Sequence, residues 1–298
     1  MVNVKEIAEK VYEVRAEVAG MDDVFSAYIV DKENAVLMEP GPASITPYIQ
    51  EGMEYLGIKG LSYIIPTHIH IDHAGGMGKL ARLYPEARVV LHPQGAKHAV
   101  DPSRLIESTR TVWGDDCETF FGPVEPVPEA RIKVVEDREI IPVNGRELEV
   151  IYAPGHAPHH IAIFDRSIGA LFCGEALGLP VHNAKDLLLP TAAPPGFDME
   201  VYLDTMELLR GFKPGILIYS HHGVGTEVDK LISIAEENTR VYGDIILRSL
   251  KQGEARQTIA GRIEEYVSSR FGVKKAQNTD YEMNVDAYTL YFKKKGLV

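Results

Sequence analysis

The stretch YIIPTHIHIDHAGG, residues 63–76, decides how this chain is read. An apolar, strand-like YIIPT runs into four metal-ligating side chains, His68, His70, Asp72 and His73, within six residues. In an extended segment residues two apart point to the same side, so the imidazoles of His68 and His70 converge on one ion. Asp72 and His73 lie past a bend and turn towards an adjacent position. Gly75 and Gly76 let the loop turn tightly into the next helix. GGMGK (75–79) is not a phosphate loop, because the first glycine of G-x-x-x-x-G-K would fall at His73 and Leu80 stands where Ser or Thr is required.

One loop offers too few ligands, and the remaining candidates sit where other strand-like runs end. His156 follows VIYAPG, His221 follows ILIYS, and Glu175 lies in ALFCGEAL. Separate strand ends that each deliver a ligand to one edge are what a dinuclear site requires. His221 and His222 are adjacent and point apart; His221 is the favoured ligand and His222 packs beside it. His92 and His98 read as ordinary surface or core residues, His159 and His160 as strand residues or supports for the ligands.

Outward from this centre the chain alternates strands and helices. VYEVRAEV (11–18), FSAYIVD (25–31) and AVLMEPG (35–41) read as a meander, TPYIQEGMEYLG (46–57) as a helix, GGMGKLARLYPEA as a helix and RVVLH as a strand. RIKVVED, REIIPV, RELEVIYAP, IAIFD and ALFCG form a second set of strands, with Asn144-Gly145 as a hairpin turn. Residues 105–129 have the composition of a long surface loop, whose Trp113, Phe120 and Phe121 either line an apolar substrate pocket or anchor the loop. A second irregular segment, 178–198, brings His182 within reach of the site as a substrate contact. MEVYLDTMELLRG is a helix leading into the strand GILIYS. From 227 the pattern is helical, with Leu231, Ala235, Val241, Ile245 and Ile246 on one face, Ile259, Ile263 and Val267 on another, and Gly253 between them.

Four motifs together, H-x-H-x-D-H at 68–73, APGHAPHHIAIF at 153–164, LFCGEAL at 171–177 and SHHG at 220–223, resemble the metallo-β-lactamase-fold hydrolases, and within them the hydroxyacylglutathione hydrolase and lactonase-like branch. A weaker match, AVLMEPG, has Glu39 where the family usually has Asp. The 83-residue separation of His73 and His156 is long for the family, and the 105–129 segment accounts for the excess. The resemblance implies an α/β fold, a four-layer αββα sandwich with metals at one edge, over a catalytic domain of residues 1–225. Residues 226–298 form a small helical C-terminal extension, a candidate dimer contact or pocket cover. It also implies that His68, His70 and His156 hold one metal, Asp72, His73 and His221 a second, and Glu175 bridges them. Glu175 departs from the usual Asp, so its extra methylene changes the reach of that ligand.

The expected chemistry is hydrolysis of a small ester, thioester or lactone by hydroxide bridging two divalent ions, zinc in preference to iron or manganese. Such ions lower the pKa of water from about 15.7 towards 7. Asp72 additionally orients the water and carries its proton to the leaving group. Three other readings compete: a mononuclear iron dioxygenase acting on a thiol or persulfide, a phosphodiesterase, and a non-catalytic binding protein. With 31 Lys and Arg against 43 Asp and Glu, the chain carries a net charge of −12, and residues 1–225 alone carry −13. That balance argues against nucleic acid as a partner. No apolar run approaches the roughly 20 residues of a membrane span. Two cysteines are too few for a disulfide framework, and MVNVKEIAEKVYEV has no apolar signal core, so a cytoplasmic enzyme acting on a small molecule is expected.

Overall fold

A computed structural model describes residues 3–18, 24–114, 117–181, 184, 187–221, 223–273 and 281–298, with the backbone alone at 24, 112 and 113. The chain opens with strands β1 (Asn3–Ala8), β2 (Val11–Glu17), β3 (Val24–Val30) and β4 (Val36–Met38), then α1 (Thr46–Leu56) and β5 (Tyr63–Ile65). Next come α2 (Ile71–Ala74), α3 (Met77–Leu83), β6 (Arg88–Leu91), α4 (Pro93–Val100), α5 (Ser103–Trp113), α6 (Cys117–Phe121) and β7 (Ile132–Val134). Strands β8 (Ile140–Val143), β9 (Arg146–Tyr152), β10 (Ile161–Asp165) and β11 (Ala170–Gly174) precede the short β12 (Leu179–Pro180) and β13 (Leu188–Leu189). The remainder is α7 (Met199–Arg210), β14 (Ile216–Tyr219), β15 (Val224–Gly225), α8 (Val228–Lys251), α9 (Arg256–Phe271) and α10 (Tyr281–Lys294).

These elements form two compact units. The first comprises Met1–Tyr152, Ile161–Gly174 and Leu217–Val224, the second Ala153–His160, Glu175–Ile216 and Gly225–Val298. The units therefore interleave along the chain, the helices after 225 clustering with 153–160 and 175–216.

The first unit contains a seven-stranded sheet ordered β1 to β7 and almost all of a six-stranded one ordered β15-β14-β11-β10-β9-β8. Strands β1 to β4 pair antiparallel through short turns, whereas β4 to β7 pair parallel. Parallel pairing requires crossover connections and brings the C-terminal ends of successive strands to one edge. The loops after β4 and β5, which carry Glu39 and His68–His73, therefore leave the sheet together; Glu39 N–H donates to Ile65 O at 3.0 Å just past the ladder.

Side chains alternate across β3 as strand geometry dictates. Phe25, Ala27 and Ile29 join Val14, Leu37, Ile64 and Val89 in a core with Ile49 and Met53 of α1 and Met77 and Leu80 of α3. Tyr28 points the other way: its ring meets Phe172 of the second sheet at 5.9 Å and its hydroxyl donates to Tyr219 O at 2.5 Å. Asn144 (φ +48°) and Gly145 (φ +83°) form the two-residue β8–β9 hairpin, with Val143 opposite Arg146.

Three expectations change. Residues 105–129 are not one long loop, since α5 and α6 occupy much of the segment. The helix begins before the stretch that looked irregular: Asp101 Oδ1 accepts from Ser103 N–H at 3.1 Å and from its hydroxyl at 2.6 Å, and 122–128, rich in Gly and Pro, runs without helix or strand. Strand β1 went unread because NVKEIA alternates poorly; it is an exposed edge strand held by its ladder with β2. The buried stripe of α8 is Ile232, Ala235, Thr239, Tyr242 and Ile246, so Leu231, Val241 and Ile245 flank the buried face instead of centring it. Ile259, Ile263 and Val267 are buried on α9, as their spacing predicts.

In the second unit α8, α9 and α10 pack on one another, α7 on α8, and α8 on β13. Asp198 caps α7, its carboxylate accepting from Val201 N–H at 3.2 Å. Phe197, Tyr202 and Tyr288 form an aromatic cluster. Among the described residues no helix is long and apolar enough to cross a membrane.

Candidate metal centre

In the first unit, β5 ends at Ile65 and a short irregular stretch with bends at Thr67, His68 and His70 leads into α2, where Ala74 N–H donates to His70 O at 2.8 Å. A Cβ at Gly75 would stand 2.4 Å from Ile71 O, so the turn out of α2 excludes larger residues. His68 Nε2 and His70 Nδ1 lie 2.9 Å apart, and Thr67 Oγ1 sits 3.1 Å from His68 Nδ1. Asp72, His73 and His221 offer one ligand atom each, all within 4.8 Å of one another. Asp72 Oδ2 is 3.3 Å from His73 Nε2 and 3.9 Å from His221 Nε2. His221 arrives from the second sheet, tied to the first by the Phe25–His221 bridge and by Ser26 N–H donating to Ser220 O at 3.2 Å.

Glu39 organises this half. It is buried and holds φ +54°, a conformation that costs a non-glycine residue about 1–2 kcal/mol. One carboxylate oxygen accepts Thr67 N–H at 3.0 Å and the other lies 2.7 Å from His73 Nδ1. A neutral imidazole with Nδ1–H on Glu39 turns its Nε2 lone pair towards Asp72, the arrangement that fixes a ligand histidine's tautomer. Glu39→Gln keeps the shape and weakens the acceptor, so metal affinity should fall about 10-fold in a chelator competition, the lower end of what such supporting residues contribute.

In the second unit His156 and Glu175 are paired, Nε2 to Oε2, at 2.9 Å. Both are held by Thr191: its carbonyl accepts from His156 Nδ1 at 2.5 Å and its hydroxyl donates to Glu175 O at 2.7 Å. Tyr202 OH also donates to Glu175 O at 2.8 Å and accepts from Gly178 N–H at 2.9 Å, and burial pushes its phenol well above the ordinary tyrosine range. His160 Nε2 accepts Glu175 N–H at 3.2 Å. Gly155 has φ +122°, and a Cβ there would lie 2.3 Å from Tyr202 Cα, so the chain reaches His156 only through glycine.

Phe120 is half-buried against the core of the first unit, beside the fully buried Phe121. His182, His222 and the Trp113 side chain lie outside the described residues. His92 caps α4, accepting from Gln94 N–H at 3.1 Å, and its ring meets that of Tyr152 at 4.3 Å, tilted by 57°. Thr191, Tyr202 and the role of Glu39 escaped sequence reading: Glu39 becomes visible only once β4 is paired parallel to β5, and Thr191 lies in a segment without periodicity. Cys173 is buried between strands and its thiol is pushed far up by burial, which leaves it no nucleophilic thiolate.

Residues 19–221 match the sequence profile of the metallo-beta-lactamase superfamily. A metallo-beta-lactamase fold-containing protein of Sulfurisphaera tokodaii, ST1585, is 29% identical over 167 residues, 55% of this chain and 61% of that protein. A hydroxyacylglutathione hydrolase of Chromohalobacter salexigens is 31% identical over 148 residues, 49% of this chain and 43% of that enzyme. The matched region thus spans less than two thirds of either relative. The crystal structure of TTHA1429, a metallo-beta-lactamase family protein of Thermus thermophilus, superposes with a TM-score of 0.69 at 19% identity, covering 96% of this chain and 94% of the other. The fold is the metallo-β-lactamase fold with added C-terminal helices, shared by proteins that bind divalent metals and are mostly metal-dependent hydrolases. With the profile running from the first sheet through His221, the chain belongs to the metallo-beta-lactamase superfamily.

Proposed function

We propose that the protein is a metal-dependent hydrolase of small esters, thioesters or lactones, with His68, His70 and His156 holding one zinc ion, Asp72, His73 and His221 a second, and Glu175 bridging them. The observation that carries this reading is the facing of acceptors. His156 Nδ1 must donate to the Thr191 carbonyl, so in the neutral ring Nε2 bears a lone pair, 2.9 Å from a carboxylate oxygen. His73 repeats the pattern, with Nδ1 on Glu39 and Nε2 at 3.3 Å from Asp72 Oδ2. Two acceptors at such distances repel unless a cation or proton lies between them, and a His and carboxylate donor set suits zinc, iron or manganese.

Divalent ions, when bound by these residues, would supply hydroxide at neutral pH and polarise an acyl carbonyl. The chain's own residues do the rest. Glu39 and Thr191 fix two imidazole tautomers, so no reorganisation is needed when the ligands engage. The Asp72 side chain, about a third exposed, keeps a carboxylate open to water and serves as the proton carrier to the leaving group. Kinship with a hydroxyacylglutathione hydrolase favours a thioester within this substrate range, and the −13 charge of residues 1–225 disfavours nucleic acid.

Metal content tests the reading directly. Plasma mass spectrometry of protein purified without chelator or added metal should find two zinc ions per chain. One iron per chain with thiol-dependent oxygen uptake would replace hydrolysis by dioxygenase chemistry, and no metal with poor rebinding would leave a binding protein.

A further inference from the structure

The C-terminal helices form bonds whose placement goes beyond packing. Segment 187–198 contains no long helix or strand, yet three of its carbonyls are held by side chains from the tail. Asn238 of α8 donates to Leu188 O at 2.6 Å, Asn284 of α10 donates to Ala192 O at 3.0 Å, and Lys294 donates to Pro195 O at 2.9 Å. Asn238 is 1% exposed and Asn284 9%. The third tail helix is tied into the same set: Tyr266 of α9 donates to Asn238 Oδ1 at 2.8 Å, which orients that carboxamide with its NH2 towards Leu188.

Between Leu188 and Ala192 lies Thr191, the residue that touches both His156 and Glu175. Its carbonyl fixes the imidazole and its hydroxyl fixes the backbone of the carboxylate ligand. Any drift of the 188–192 backbone therefore moves both ligands, and side-chain amides from α8 and α10 restrain that backbone on either side. A buried carbonyl whose donor is removed must seek another, which an irregular segment does by moving.

We propose that the helical extension is part of the metal centre's support, with Asn284 and Asn238 as positioning residues that set the His156–Glu175 pair through Thr191. This rests on the metal-centre reading above and adds a role for residues 226–298. It accounts for two buried asparagines, one in the middle of α8 and one in the first turn of α10, where an apolar residue would pack without needing a partner.

The test uses the full-length chain and zinc competition against a chromophoric chelator, which resolves the two ions without measuring activity. Asn284→Asp keeps the shape but sets a carboxylate against the Ala192 carbonyl, and Asn284→Ala removes the donor. Both should weaken the ion held by His156 and Glu175 about 10-fold, within the range for residues that orient metal ligands. The ion held by Asp72, His73 and His221 shares only the Glu175 bridge with that pair and should weaken less. Tyr288→Phe separates stability from positioning: it deletes a bond to Thr239 O within the tail while keeping the ring on Phe197, and should lower the melting temperature without weakening zinc. The proposal is overturned if Asn284→Asp binds zinc as tightly as the wild type, or if Tyr288→Phe weakens it equally. A wild-type chain that binds no zinc overturns the metal-centre reading instead.

Discussion

Asp72→Ala is expected to lower ester and thioester turnover by about 10²–10⁴-fold, the range for removing a positioned proton carrier, and His70→Ala to abolish it by emptying one ligand position. Neither change should unfold the chain. His70 and Asp72 are only half-buried, His70 just before and Asp72 within the short helix α2, so truncation opens no core cavity. The stability that disappears is the share contributed by bound metal. Thermal unfolding of both variants should therefore match that of chelator-stripped wild type, and adding zinc should raise the wild-type midpoint much more than theirs. Unchanged turnover in both variants would overturn the hydrolytic site; loss of turnover with a midpoint far below the stripped wild type would show that the substitutions disrupt folding.

The part of this centre that was legible in the sequence is the part whose geometry is local. His68 and His70 are separated by Ile69 alone, and Asp72 and His73 lie on the short helix α2 that follows. His156, Glu175 and His221 were legible because strand ends in an α/β chain are recognisable from apolar runs, and the family resemblance put them in order. What stayed hidden depends on pairings between distant segments. Glu39 serves His73 because β4 and β5 are parallel neighbours, and Thr191 joins His156 to Glu175 across gaps of 35 and 16 residues. The tail helices were legible as helices from their 3.6-residue period, but the direction in which Asn238 and Asn284 point is fixed by packing alone.

Arg146→Ala should destabilise the protein by about 3–5 kcal/mol, because it strips one partner from a buried ion pair. Arg146 opens β9 and Asp165 closes β10; Nη1 and Oδ2 lie 2.5 Å apart, with the side chains 7% and 0% exposed. The guanidinium also donates through Nη2 to the Glu9 carbonyl, and the second carboxylate oxygen accepts Ser167 N–H at 2.9 Å. Both terminal guanidinium nitrogens and both carboxylate oxygens are thus committed, and removing the cation leaves a carboxylate where water does not reach. At about 2–4 °C per kcal/mol for a chain of this size class, the midpoint should drop by roughly 10 °C. Turnover per folded molecule should hold, because Arg146 sits at the far end of β9 from the turn into His156, about 20 Å along a seven-residue strand. Arg146→Met combined with Asp165→Leu removes both charges and should recover most of the loss, since a buried pair replaced by apolar residues of similar volume is often neutral. If Arg146→Ala costs less than 1 kcal/mol, water or another cation reaches Asp165 and the pair is not sealed. If turnover per folded molecule falls with it, this end of β9 is coupled to the ligands after all, and the separation between a stability layer and a chemical edge, on which the Asp72 and His70 variants depend for their interpretation, does not hold.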